Sequence, residues 1–145
     1  HREVRIRVAM RLEGRELLAM AGDEDYYVRK LVAQRLPAAL LPRMLDDSDP
    51  EVRLEAVRRL DMPALLRMCD DPEISIRKEV AQRLPAAQLY RMAHDPAWEV
   101  RWLVAGRAGR ALALQMSAGD EEADVRAEAC ARLNELDREE GDRHG

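Results

Sequence analysis

The chain has 145 residues, enough for one ordinary domain. Its 28 Asp and Glu against 24 Lys and Arg leave a net charge of −4, which argues against a general binder of nucleic acid or another polyanion. No apolar run reaches transmembrane length and no signal peptide is visible. The two cysteines, Cys69 and Cys130, are widely separated in sequence, so a disulfide is not expected. Buried small side chains in a reducing, cytoplasmic setting are expected instead.

Repetition organises the chain. Residues 23–44 and 71–92 carry nearly the same sequence, with a shared core (Val/Ile)-Arg-Lys-x-Val-Ala-Gln-Arg-Leu-Pro-Ala-Ala-x-Leu-x-Arg-Met at 28–44 and 76–92. An aliphatic-Arg pair marks each unit: Val4-Arg5, Val28-Arg29, Val52-Arg53, Ile76-Arg77, Val100-Arg101 and Val125-Arg126, stepping by 24 four times and then by 25. A second arginine column follows six residues later, at Arg11, Arg35, Arg59, Arg83, Arg107 and Arg132. Each later unit is headed by an aspartate, Asp23, Asp47, Asp71, Asp95 or Asp120.

These aspartates are the expected helix N-caps, with Pro72 and Pro96 directly after two of them. Glu51, Glu73, Glu99 and Asp124 fall where a first helical turn favours negative charge. Val28, Val32, Ala33 and Leu36, and again Ile76, Val80, Ala81 and Leu84, lie on one face at 100° per residue, which predicts an amphipathic helix. Pro37 and Pro85 end it. A second segment then shows apolar residues spaced by three, Ala38-Leu41-Met44, Met62-Leu65-Met68 and Ala86-Leu89-Met92, a spacing that suits a short 3₁₀-helix.

In chain order, the first unit (1–21) is atypical and expected to fray. The second (22–45) and fourth (70–93) are the best formed. The third places its proline two residues later, at Pro63, so its helix is expected to end later. The fifth substitutes Gly106, Ala108, Gly109 and Ala113 for larger or stiffer residues and brings in Trp98 and Trp102. Its extra residue is expected in a connector between Met116 and Asp120. The sixth keeps Val125, Ala129, Cys130 and Leu133, and residues 134–145 read as a polar cap or frayed tail. The chain opens on His1, three residues before an anchor, so a segment upstream of it is expected.

Asp-Pro-Glu-Val-Arg at 49–53 and Val-Ala-Gln-Arg-Leu-Pro at 32–37 and 80–85 resemble the leucine-rich repeat variant (LRV) family over almost the whole chain. The resemblance implies an all-α, right-handed solenoid of alternating α and 3₁₀ helices, here one domain over 1–145 with about five and a half units. Paired-helix repeats of the HEAT class need about 40 residues per unit and do not fit the period. Members often carry an N-terminal segment whose cysteines bind a [4Fe-4S] cluster. No such segment is present in this chain, so a cofactor here is not expected and a cluster would belong to an upstream segment.

Both arginine columns fall in or beside the apolar stripe, where an unpaired guanidinium is costly. Arg29, Arg53, Arg77, Arg101, Arg126, Arg35, Arg59, Arg83 and Arg107 are therefore expected to form a ladder onto connector aspartates or helix-end carbonyls of adjacent units. The competing reading is a row of guanidinium groups for an anionic partner, including nucleic acid. Trp98 shares a column with Tyr26, Pro50 and Ile74, which suggests packing. Trp102 lies away from the stripe with Lys30 and Lys78 in its column, so Trp102, Arg101, Lys78 and Lys30 form the candidate interface. The methionine column reads as core. The three histidines show no metal-ligand spacing, and no nucleophile elbow, P-loop or Rossmann fingerprint is present. The expected function is a non-enzymatic scaffold for a protein partner, with no membrane and no small-molecule substrate. The alternatives are a docking arm for an upstream iron–sulfur protein and nucleic-acid binding through the arginine columns.

Overall fold

The structure, a computed structural model, describes residues 1–145. It is all-helical. In order the elements are α1 (Arg2–Arg11), α2 (Gly14–Leu18), α3 (Tyr26–Arg35), η1 (Ala38–Met44), α4 (Pro50–Val57), η2 (Ala64–Met68), α5 (Ile74–Arg83), η3 (Ala86–Met92), α6 (Trp98–Arg107), α7 (Arg110–Gly119) and α8 (Ala123–His144), the η elements being 3₁₀ helices. The second to fourth repeats thus alternate α and 3₁₀, as the 24-residue period and its spacing by threes predict. No helix is long and apolar enough to cross a membrane.

The chain folds as two compact units, His1–Glu79 and Val80–Gly145. In the first, α3 packs against both α1 and α4. Its predicted stripe of Val28, Val32, Ala33 and Leu36 is fully buried. A side chain of that size contributes roughly 1.5–3 kcal/mol when fully buried, so each repeat depends on its neighbour to cover this face. After Leu36 the backbone turns extended at Pro37, and η1 then buries Leu41 and Met44. In the second unit, α8 packs along both α6 and α7, so one 22-residue helix covers both layers of the fifth repeat.

Several local expectations are corrected. Asp23, Asp47, Asp71, Asp95 and Asp120 are not the helix N-caps: α3 and α4 are capped two residues later, by Asp25 and Asp49, whose carboxylates accept Tyr27 and Glu51 N–H at 2.8 Å. Pro72, Glu73 and Pro96 accordingly precede their helices, whereas Pro50 occupies a first helical position. Helix α4 ends at Val57 instead of later, because Arg59 and Leu60 bond to carbonyls three residues back and tighten the last turn. The first members of the spaced triplets, Ala38, Met62 and Ala86, are exposed, and Leu and Met alone face the core.

The fifth repeat departs most. Its second segment is the α-helix α7, with Gly109 where the second and fourth repeats have proline, and α2 of the first repeat is also α-helical. The extra residue is not in a loose connector, since Met116 to Gly119 all belong to α7. A seven-residue 3₁₀-helix such as η1 rises about 14 Å and a ten-residue α-helix about 15 Å, so the longer segment spans a similar distance. Residues 134–144 continue α8 without a break. Arg110 of α7 reaches across to Asp137 at 2.8 Å and Glu140 at 3.3 Å. Its pKa is raised above the ordinary arginine value, first by the Asp137 hydrogen bond and then by the charge of Glu140.

Candidate functional site

Each repeat builds the same charged node from three short pieces of sequence. The heading aspartate turns the chain, its Oδ1 accepting the backbone N–H two residues on: Asp25 to Asp23, Asp49 to Asp47, Glu73 to Asp71, Ala97 to Asp95 and Glu122 to Asp120, all at 2.9 Å. The paired arginine of the same repeat donates Nη1 to that aspartate's backbone carbonyl, at 2.8 Å for Arg29, Arg53 and Arg77 and 2.7 Å for Arg101 and Arg126. Its other nitrogens grip the aspartate heading the next repeat. Nε of Arg29, Arg53 and Arg101 lies 2.8, 2.9 and 3.0 Å from Oδ2 of Asp47, Asp71 and Asp120 respectively.

The second arginine column works in the opposite direction along the chain. Arg35 Nη1 donates to the carbonyls of Ala9 and Leu12, Arg59 to Ala33 at 2.8 Å, and Arg107 to Ala81 at 2.7 Å. Arg132 Nε reaches Ala108 at 2.8 Å. These carbonyls lie near or beyond helix C-termini, where a cation is favoured and backbone acceptors are left over. The first column therefore reaches forward to a carboxylate and the second reaches back to a carbonyl, and these guanidinium groups are held within the fold.

The candidate interface residues separate on this geometry. Arg101 is 6% exposed and fixed on Asp120 and the Asp95 carbonyl, so it is not available to a partner. Lys78 is exposed and Lys30 half-buried. Trp102 is 39% exposed, but so is Trp98 at 41%, and Trp98 shares its repeat position with Tyr26 and Ile74, which are exposed as well. Packing assigned to that column is thus incorrect: as the first residue of its helix, it stands outside the buried stripe. Tyr27 and Tyr90 are exposed too, so all five aromatic residues of the chain, two Trp and three Tyr, face solvent. Cys130 is exposed and Cys69 only half-buried, contrary to the small-core-residue expectation, while Ala33, Val57, Ala81 and Ala105 in the Cys130 column are fully buried.

Within the Val80–Gly145 unit lies a cleft of about 460 Å³ between the connector 93–96, α7 and the connector 120–121. Pro96, Leu112 and Met116 give it apolar lining, and Asp95, Asp120 and Glu121 share the rest with Arg101. Sequence patterning does not mark these residues as a set, although the substitutions of the fifth repeat and its additional residue do single out this region. Also unmarked is a third arginine column, Arg43, Arg67 and Arg91, directly before the core methionines and exposed in each case. At the equivalent position the cleft carries Gln115.

No three His, Cys, Asp or Glu side chains gather in a way that holds a metal ion. Iron–sulfur clusters are typically held by about four thiolates, and the chain has two cysteines, so its residues do not fit the cluster associated with the upstream segment of the family.

The leucine rich repeat variant family model matches residues 26–49, one full period comprising α3, η1 and the connector to Asp49. A solved structure described as a leucine-rich repeat variant with a novel repetitive protein structural motif is similar at TM-score 0.84 and 38% identity over 92% of this chain. The chain spans 56% of that protein's length. No curated protein matches the sequence.

Proposed function

We propose that the repeats of this chain, which matches the leucine-rich repeat variant family model at residues 26–49 and is similar to a solved leucine-rich repeat variant, form a non-enzymatic scaffold that binds a protein partner. The observation that carries the reading is the placement of the aromatics. Trp and Tyr bring large apolar area to a core and are enriched at protein interfaces. Here all five are exposed, and the core is built from Val, Leu, Ile, Ala and Met. One exposed aromatic is ordinary. The whole complement facing outward supports a surface whose contacts are made with another molecule.

Charge supports the same choice. The two arginine columns that suit an anionic partner are engaged by aspartates and carbonyls of the fold, and the net charge is −4. Trp98 and Trp102, one helical turn apart on α6, are the strongest anchors for a protein surface.

The test compares capture of a partner by the immobilised wild-type chain and by the Trp98→Ala/Trp102→Ala double variant at two salt concentrations. A protein retained by wild type, lost with the variant and little affected by salt supports the scaffold, provided both chains melt at the same temperature. Capture unchanged in the variant contradicts the role of this surface, and recovery of nucleic acid that falls steeply with salt contradicts the choice of partner.

A further inference from the structure

We propose that Arg126, on the open edge of α8, binds an aspartate side chain of the partner protein, a proposal that rests on the scaffold reading and names one contact the scaffold makes. Arg126 belongs to the first arginine column. In that column Arg29, Arg53 and Arg101 donate Nη1 to the carbonyl of their own heading aspartate and hold the next heading aspartate by Nε at 2.8–3.0 Å. Nη2 of each reaches the other oxygen of the same carboxylate at 3.2–3.4 Å, which completes a two-pronged grip. Arg126 makes the same Nη1 bond, to the Asp120 carbonyl at 2.7 Å, but no aspartate or glutamate of this chain completes its grip. The carbonyl bond orients its guanidinium as in its column mates, and the Nε and Nη2 edge of this half-buried residue is not engaged by the fold.

The surroundings of Arg126 show what kind of aspartate fits. Cys130 is exposed and Leu133 half-buried, although Ala33 and Ala81 in the first of these columns and Leu36 and Leu84 in the second are fully buried. An apolar surface therefore lies open on the same helix as the free guanidinium edge. In the second repeat, α3 carries Arg29 and packs against α4, the helix that follows the Asp47 turn. The aspartates held in this column accept the backbone N–H two residues on and are followed, five residues on, by a fully buried Val or Ile: Asp47 by Val52, Asp71 by Ile76 and Asp120 by Val125. A partner segment of the form Asp-x-x-x-x-(Val/Ile) at the start of a helix thus brings a carboxylate to Arg126 and an aliphatic side chain to the apolar surface beside it. Glu122 precedes Arg126 by four residues, as Asp25 and Asp49 precede Arg29 and Arg53, and those arginines hold their aspartates all the same.

The experiment titrates the ¹⁵N-labelled chain with an acetylated and amidated peptide copying residues 46–60, which carries Asp47 and Val52, and with the same peptide bearing Asp47→Asn. The Arg126 Nε–H signal, assigned by its absence from Arg126→Gln, and the amides of residues 126–133 are expected to shift saturably with the first peptide. The Asp47→Asn peptide should bind about fivefold to tenfold more weakly, since one charge-assisted pair is lost. Arg126→Gln should lose the same factor toward the first peptide and none toward the second, the mark of a direct pair. Equal binding of the two peptides overturns the proposal, as do shifts confined to other residues. Acetyl-Ala-Ala-Ala with a free carboxyl end, if it shifts Arg126 as strongly as the first peptide, overturns the choice of a side-chain carboxylate. The Asp47→Asn peptide leaves the chain itself unaltered, so the comparison holds even where Arg126→Gln loses stability. Partner capture reads the scaffold separately: capture lost in the Trp double variant together with a silent Arg126 removes this proposal and leaves the scaffold standing.

Discussion

Arg53 and Asp71, 18 residues apart, are joined by two parallel hydrogen bonds, Nε to Oδ2 at 2.9 Å and Nη2 to Oδ1 at 3.2 Å. The same guanidinium donates Nη1 to the Asp47 carbonyl, and the same carboxylate accepts the Glu73 N–H. One side chain thus ties the turn that opens its own repeat to the turn that opens the next. Both groups are largely buried, so each is costly without the other. Repetition of this node accounts for a charged column beside the apolar stripe.

Two aspartates per repeat divide the work of starting a helix. Asp49→Ala removes only the cap on Glu51 N–H and should cost about 1 kcal/mol. Asp47→Ala also strips the partner from Arg29 and the turn bond to Asp49 N–H, and should cost about 3–5 kcal/mol. Urea unfolding of the two variants side by side checks the ranking; a larger loss at Asp49 contradicts the assignment of caps.

Gly109 has φ −70° and ψ 170°, close to Pro37 at −55° and 143° and Pro85 at −56° and 144°. Its preceding residue, Ala108, is extended, as a proline requires. Gly109→Pro should therefore raise stability by about 0.4–1 kcal/mol by restricting the unfolded chain. A lowered melting temperature contradicts this, and identifies the glycine as necessary to α7.

Gly106 lies inside α6, where a Cβ would stand 2.9 Å from Glu128 Oε1 of α8. The obstructing atom is the far end of a flexible, partly exposed side chain, so it moves at little cost. Gly106→Ala should gain up to about 1 kcal/mol of helix propensity. Gly106→Gln, which restores the residue of the second and fourth repeats, drives a long side chain against α8 and should destabilise by about 1–3 kcal/mol. Thermal melts of the two variants moving in opposite directions are the expected result.

Much of the fold was legible because it is written repeatedly. Val28, Val32, Ala33 and Leu36 mark the buried face, Pro37 the break and Leu41-Met44 the tight second helix, and each reading is reinforced one or two periods later. The cap position was not legible, because Asp47 and Asp49 both favour the start of a helix and only the arginine from the preceding repeat decides between them. Trp98 misled because its column mates are apolar, yet Tyr26 and Ile74 occupy first helical positions outside the stripe. The cleft was invisible for another reason: it is bounded by connectors and α7, and its volume appears only once their spacing in three dimensions is known.

The central claim, that the arginine columns hold the repeats together, is tested most directly by urea unfolding of Arg53→Ala beside Arg67→Ala at 25 °C. Arg67 belongs to the exposed third column and serves as the control for loss of one guanidinium. The account predicts a loss of about 3–5 kcal/mol for Arg53→Ala and a change within about 0.5 kcal/mol for Arg67→Ala. Arg53→Lys, which keeps the charge but not the fork, should fall between them. An Arg53→Ala midpoint equal to wild type would contradict the claim and return these arginines to the list of candidate binding residues.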